Sequence, residues 1–460
     1  MITPQTFKLL EQITGSENIS LTEADRVLHS QDESTHPPVM PDVVIWPTST
    51  EIVSRTAALA HEYHIPITPW GAGTGLEGHA IPLKQGISLN FQRMDKLLAV
   101  HAEDFQVTVQ PGIFRKALEK ELAPYGLMFA PDPGANASIG GMLANNAAGI
   151  RTVKYGAARD NVLALEVVMA NGDILRTGSR SIKQSAGYDL THLFTGSEGT
   201  LGIITEATLQ LVPIPEQFST ATVAFNTVQE AADAVYGIIG SGLEPAALEL
   251  IHQDMIGWMN ADSGTDFTVA PSIMMEFTGA TAAAVKNAVE MAKQVCEEAG
   301  SIGFQGGLGR EARSKMWSFR HGIRERMVRT FPGEHWIIVD LAVPISNFPP
   351  LVAFCQEKIY EYGFDSRIVG HAGDGNMHCG IHFRPDDHEA QTRAAEMGAA
   401  MVTKTLELEG TCTGEHGIGI GKQKYMLAEH GETALHVMRT IKSALDPRHI
   451  LNPGKVLVLD

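Results

Sequence analysis

The sequence predicts an α+β fold in two domains, and three observations carry that reading. Strand-like and helix-like runs alternate from Asp42 onward, a glycine-dense segment from Pro69 to Gly78 follows the second of those strands, and a proline pair in Val212-Pro213-Ile214-Pro215 marks a change of composition. At 460 residues with 44% hydrophobic content, the chain can bury more than one core. The predicted division puts residues 1–214 and a C-terminal return, 425–460, in the first domain, and 215–424 in the second.

The elements follow in order. Val43-Val44-Ile45-Trp46 reads as a buried strand, Thr48-Ser49-Thr50-Glu51 has the spacing of a capping box opening a helix through Tyr63, and Ile65-Pro66-Ile67-Thr68 is a second strand. This β-α-β unit delivers the glycine loop at a strand end, where phosphates are met. Further strands are expected at 87–90, 106–110, 164–169 and 203–211. Past the prolines, strands at 222–225 and 272–278 alternate with an alanine-rich helix at 282–299. Helices are expected at 395–409 and 432–445.

Pro69-Trp70-Gly71-Ala72-Gly73-Thr74-Gly75-Leu76-Glu77-Gly78 is suited to letting bare backbone amides close on a pyrophosphate. Gly73, Gly75 and Gly78 spell G-x-G-x-x-G, but the nicotinamide-binding version needs a helix to begin there. Pro82 and the strand-like 86–90 leave no room for one. A loop-cradled dinucleotide such as FAD fits better. A second glycine-rich stretch, Pro131 to Gly149, could pack as a tight helix, but two glycine-dense segments in one domain fit a long, two-ended cofactor better.

A net charge of −18 excludes the basic footprint that nucleic acid requires. No apolar run approaches the ~18 residues of a membrane span, and the first twenty residues lack a signal pattern. Four scattered cysteines encode no iron–sulfur or zinc knuckle. The expected location is cytoplasmic or peripheral at a membrane.

Two constellations carry chemistry. His371-Ala372-Gly373-Asp374-Gly375-Asn376-Met377-His378 is a turn between two strands, and Gly414-Glu415-His416-Gly417 is a glycine-rich loop. His371, His378 and Glu415 make a two-imidazole, one-carboxylate set of the kind that holds catalytic zinc, manganese or iron with an open position. With 18 histidines in the chain, a purely structural role for either imidazole is the competing explanation. Oxidising an alcohol at a flavin also needs a proton acceptor, and His416 beside Glu415 suits that role. Arg310, Arg313, Arg320, Arg324 and Arg326 crowd one segment; Arg320, after Trp317-Ser318-Phe319, is the choice for clamping a carboxylate.

These blocks, with Phe194-Thr195-Gly196-Ser197-Glu198-Gly199-Thr200-Leu201-Gly202 and Leu451-Asn452-Pro453-Gly454-Lys455, resemble the vanillyl-alcohol-oxidase type flavoproteins and, within them, the FAD-dependent D-2-hydroxyacid dehydrogenases. The resemblance implies an N-terminal FAD-binding domain and an α+β substrate or cap domain. It implies that Pro69, Gly71, Ala72, Gly73, Thr74, Gly75 and Gly78 cradle the FAD phosphates. It also implies that Pro131, Asp132, Ser138, Gly141, Asn145, Gly149, Glu198, Gly199, Ile204 and Asn452 line the remaining cofactor path. His371, His378 and Glu415 become metal ligands, His416 the base and Arg320 the clamp. Where D-2-hydroxyglutarate dehydrogenases carry a lysine and an asparagine, this chain has Ile338 and Gly380, which favours a short substrate such as D-lactate. The expected function is oxidation of that acid, with electrons passed to a quinone, cytochrome or electron-transfer flavoprotein. The alternatives are a glycolate oxidase flavin subunit, a D-2-hydroxyglutarate dehydrogenase or a non-catalytic flavin subunit. Non-covalent FAD is expected, His79 being the residue a covalent link would use, and a homodimer is left open.

Overall fold

The computed structural model describes residues 2–459, apart from the side chains of Ser263, Arg310, Ala312, Lys315, Ser318, Phe319, His321, Arg324 and Glu325. Of the residues named above, the side chains of Arg310, Ser318, Phe319 and Arg324 thus lie outside the described residues. The chain divides into two compact units. The first comprises residues 1–147, 157–213 and 415–460; the second comprises 148–156 and 214–414.

In the first unit, β1 (Ile19–Ser20), β2 (Val43–Ile45), β3 (Ile67–Trp70) and β4 (Ile87–Asn90) form a sheet in the order β1-β2-β4-β3. The two outer strands of the β-α-β crossover both run parallel to β4, which fills the place between them. Helix Thr50–Tyr63 turns Val53, Ala57 and Ala60 onto Val43, Ile45, Ile67 and Leu89, so its i, i+4, i+7 stripe makes this core. The capping box expected from Thr48 is absent. Ser49 is the N-cap, accepting from the Ile52 amide at 3.3 Å, and Ile52 has no side-chain oxygen to close the reciprocal bond.

A second sheet follows, built from β5 (Leu97–His101), β6 (Gln106–Val109), β8 (Val162–Val168), β9 (Ile174–Gly178) and β10 (Ile203–Gln210), antiparallel in the order β5-β6-β10-β8-β9. Between them β7 (Leu127–Met128) pairs with β11 (Val212–Pro213). Helix Ile139–Asn145 lays Ile139, Met142 and Leu143 on this sheet's core. The second glycine-rich stretch is therefore partly helical. Gly140 allows the approach, since a Cβ there would run into the Pro111 ring at 2.5 Å. The C-terminal return begins at Glu415 and closes on β3, where Ile67 donates to Ile450 and Asn452 donates back to Ile67, each at 2.7 Å. Within it the helix Met426–Leu445 is broken at Gly431, whose φ of 74° is not helical.

The second unit holds two antiparallel sheets. β12 (Gln217–Ala224), β13 (Ala247–Ile251), β14 (Ser272–Gly279) and β15 (Gly303–Leu308) run in the order β13-β14-β12-β15; β16 (His335–Ala342), β17 (Arg367–Val369) and β18 (Asn376–Phe383) run β16-β18-β17. The two sheets are linked where Leu250 and Gly370 exchange backbone hydrogen bonds at 3.0 and 3.1 Å. That link brings Glu249 of β13 beside His371. No helix among the described residues is long and apolar enough to cross a membrane.

Candidate functional site

In the first unit the glycine loop leaves β3 and stays non-helical through Gly86, as the proline at 82 requires. The amides of Ala72, Gly73, Thr74 and Gly75 donate to no acceptor among the described residues, so four successive N–H groups stand ready for an anion. Two neighbouring positions show why bare backbone is needed. A Cβ on Gly71 would collide with the Ser138 hydroxyl, and Gly73 combines a φ of 69° with a virtual Cβ 2.5 Å from the Trp70 ring. Ser138 itself caps helix Ile139–Asn145 through the Gly141 amide at 3.4 Å, which orients a helix N-terminus beside the loop.

Glu198 is the hub of this unit. It is buried, holds a φ of 53°, and accepts the amides of Ile418 and Gly419 at 2.7 and 2.9 Å. His79 Nε2 lies 3.3 Å from Oε2, the oxygen that also accepts from Gly419. Burial alone would raise the Glu198 pKa, yet the His79 charge and the two amides outweigh it and hold the carboxyl below its ordinary range. Burial pulls the His79 pKa down, and the Glu198 charge more than reverses that, so His79 titrates above its usual value. Asn145 donates to the Glu415 carbonyl at 3.0 Å, while its buried Oδ1 has no hydrogen bond. Asn452 donates to the backbone of His79 and Glu198 at 3.1 and 2.8 Å. Gly199, at a φ of 70°, abuts Pro69. Pro131 and Asp132 are buried, and Ile204 lies on β10. Gly149 alone among the predicted cofactor residues belongs to the second unit.

In the second unit β-sheet register aligns the histidines. Asp340 of β16, His378 of β18 and Val369 of β17 are cross-strand partners, as are Ile338, Gly380 and Arg367 two residues further on. His378 Nδ1 is 3.4 Å from the fully buried Asp340, whose carboxylate also accepts from Asn376 at 2.8 Å and Thr413 at 2.9 Å. The His371 ring lies 5.5 Å from that of His378, with planes at 88°, and its Nδ1 meets Glu249 Oε1 at 2.6 Å. His371 Nδ1 is thus hydrogen-bonded to a buried carboxylate, an arrangement in which histidine ligates metal, while His378 Nδ1 lies within ion-pair distance of a second buried carboxylate.

Helix Gly309–His321 places Arg313, Trp317 and Arg320 on one face by i, i+4, i+7 spacing. Arg313 and Trp317 both reach Glu276 Oε2, at 2.8 and 2.5 Å, and Arg320 reaches Glu249 Oε2 through Nε at 2.7 Å and Nη2 at 2.6 Å. Burial would raise the Glu249 pKa, but Arg320 and His371 together hold it below the ordinary value. The structure brings together His371, His378 and Arg320. Glu415 and His416 open the return segment of the first unit, joined to the second by the Gly414–Glu415 peptide bond.

Sequence reasoning passed over Glu249. The signal was available: a single carboxylate in the apolar strand Ala247–Ile251 must be buried, and a buried charge demands a partner. The same holds for Glu276 in Ser272–Gly279.

Residues 41–178 match the FAD binding domain family and residues 214–456 match the C-terminal domain of FAD linked oxidases. A probable mitochondrial D-lactate dehydrogenase of Danio rerio is 41% identical over 97% of this chain and 90% of its own. A mitochondrial D-lactate dehydrogenase [cytochrome] of Arabidopsis thaliana is 39% identical over 96% and 78%, and a glycolate oxidase subunit of Bacillus subtilis is 35% identical over 100% and 98%. Among solved structures, 4-ethylphenol oxidase from Gulosibacter chungangensis superposes with a TM-score of 0.80 at 18% identity over 99% and 98% of the two chains. p-Cresol methylhydroxylase gives 0.78 at 18% identity over 99% and 97%. The chain belongs to the FAD-linked oxidase family, carries its two-domain fold, and is an FAD-dependent oxidoreductase acting on a CH–OH donor.

Proposed function

We propose that this protein oxidises a short D-2-hydroxy acid, D-lactate first among them, to the 2-keto acid and hands the electrons to a separate acceptor. The observation that carries the reading is the pair of imidazoles, His371 and His378, each backed by a buried carboxylate in the same unit as Arg320. The relatives named D-lactate dehydrogenase, at 41% and 39% identity, favour this substrate.

FAD supplies the hydride acceptor. The amides of Ala72 to Gly75 and the N-terminus of helix Ile139–Asn145 would hold its phosphates, with Gly71 and Gly73 keeping side chains out of the cradle. Ser138, Gly141, Asn145, Glu198, Gly199, Ile204 and Asn452 line the rest of its path. Non-covalent binding is favoured by the pairing of His79 with Glu198.

His371 and His378, with Glu415, would hold a divalent cation, zinc, manganese or iron, which would supply Lewis-acid polarisation of the substrate hydroxyl. His416 accepts the hydroxyl proton at an imidazole nitrogen. Arg320 fixes the substrate carboxylate, with Nη1 as the nitrogen not engaged by Glu249. Beyond His378 the cross-strand row is Ile338, Gly380 and Arg367; a Cβ on Gly380 would stand 3.1 Å from Met327 and 3.4 Å from Trp336, and Arg367 is already paired with Asp254 and Asp365, each at 3.0 Å. A second substrate carboxylate has no cation to meet at Ile338, so a dicarboxylate is disfavoured.

Anaerobic flavin bleaching across D- and L-2-hydroxy acids tests this. D-Lactate should bleach the flavin, L-lactate should not, and D-2-hydroxyglutarate should be slower; faster bleaching by the dicarboxylate would overturn the assignment. Glycolate is the second reading, favoured by the Bacillus subtilis relative. The acceptor is a cytochrome, as in the name of the Arabidopsis relative, and reduction of cytochrome c by the substrate-reduced enzyme checks it.

A further inference from the structure

Glu249 is fully buried on β13, and its two oxygens have different occupants. Oε1 holds His371 Nδ1 at 2.6 Å, while Oε2 holds Arg320 Nε at 2.7 Å and Nη2 at 2.6 Å. His371 follows β17, and Arg320 lies near the end of helix Gly309–His321, so the chain itself places no direct constraint on their spacing. Glu249 does, because the Leu250–Gly370 backbone pair docks β13 against the residue preceding His371.

We propose that Glu249 is a positioning residue that sets the spacing between the metal-binding edge of His371 and the carboxylate-binding edge of Arg320. The proposal rests on the roles given above to those two residues. The reacting hydroxyl and the carboxylate of a 2-hydroxy acid sit on adjacent carbons, so a metal and a clamp that drifted apart could not serve both. On His371, the carboxylate fixes the proton at Nδ1 and makes Nε2 the better ligand. On Arg320, it engages Nε and Nη2 and fixes the plane of the guanidinium. Asp340 is the internal contrast: it backs His378 and also accepts from the neutral donors Asn376 and Thr413. Glu249 therefore bears on cation and substrate together, and Asp340 on the cation through His378.

The test compares wild type, Glu249→Gln, Asp340→Asn and Arg320→Lys as FAD-loaded proteins. It measures the Zn²⁺ dissociation constant, the flavin-to-protein ratio and, at saturating Zn²⁺, the D-lactate concentration giving half-maximal flavin reduction. In Glu249→Gln one amide oxygen can still accept from His371, but the amide nitrogen faces the guanidinium donor to donor. It should weaken Zn²⁺ binding about 10–100-fold and also raise the half-saturating D-lactate concentration, with flavin content unchanged. Asp340→Asn should weaken Zn²⁺ alone. Arg320→Lys keeps a cation opposite Glu249 yet loses the two-nitrogen contact, and should weaken Zn²⁺ measurably although it ligates no metal. A Glu249→Gln protein with wild-type Zn²⁺ affinity or wild-type half-saturation overturns the proposal, as does Arg320→Lys with unaltered Zn²⁺ binding should Glu249→Gln fail to fold. Wild type that takes up no Zn²⁺ at all instead removes the metal reading of His371 and His378, and the proposal with it.

Discussion

The cofactor loop of the first unit and the histidine-bearing sheet of the second use opposite materials. Between Gly71 and Gly75 the working groups are main-chain amides, and side chains are excluded by contact with Ser138 and Trp70. Around His371 and His378 the working groups are side chains, each held by a buried carboxylate. Backbone donors recognise a phosphate by shape and partial charge and need no titration, so the loop should tolerate changes of pH and fail on added volume. Imidazoles and carboxylates depend on protonation and partner geometry, so the second region should tolerate modest volume changes and fail on a single lost charge.

The largest effect expected from this contrast is on metal removal. Exhaustive chelation, verified by elemental analysis, should abolish turnover while the flavin spectrum stays unchanged, and added Zn²⁺ or Mn²⁺ should restore activity. Full activity without metal would mean that the carboxylate-backed histidines are structural. Next comes His416→Ala, which should slow flavin reduction at saturating substrate by roughly 10²–10⁴-fold, the range for losing a general base. Stopped-flow traces matching wild type at neutral pH would send the search for the base elsewhere.

Gly73→Val probes the other side of the comparison. A β-branched residue there must adopt a φ of 69° and displace Trp70, so the protein should purify with little or no FAD. A full complement of flavin, read from absorbance after gel filtration, would remove the loop from the cofactor site. Arg320→Ala should chiefly raise the substrate concentration needed for half-maximal reduction, the signature of a lost carboxylate clamp. An unchanged concentration dependence would shift the clamp to another cation.

The smallest effect concerns pH, where the first unit has its own titrating pair. The Glu198 carboxyl sits below its usual 4.5, so its stabilising contribution is present above that pH and fades as pH falls through the lowered value. His79 sits above its usual 6.5, so its contribution is present below that pH and fades as pH rises through the raised value. Thermal stability of the wild type should therefore benefit most between these limits. Glu198→Gln should flatten that part of the profile, and an identical pH dependence of Tm in the variant would show that the pair contributes nothing.

The sequence by itself determined the local features. Strands and helices were legible from period and punctuation, the phosphate loop from its glycines and from Pro82 barring a helix, and the candidate ligands from the spacing of His371 and His378. Arg320 could be singled out because Trp317 would turn its helix face inward. Only tertiary structure decided the partners. The capping box at Thr48 gave way to Ser49 because an N-cap is chosen by where the chain turns and not by spacing alone. Glu198 became the anchor of the segment after His416, and Glu249 the shared support of His371 and Arg320, through contacts between residues far apart in the chain. A buried carboxylate announces in sequence that it needs a partner, but strand register and helix docking choose which one. Periodicity reports how each element faces a core; it carries no information about which other element supplies the opposite charge.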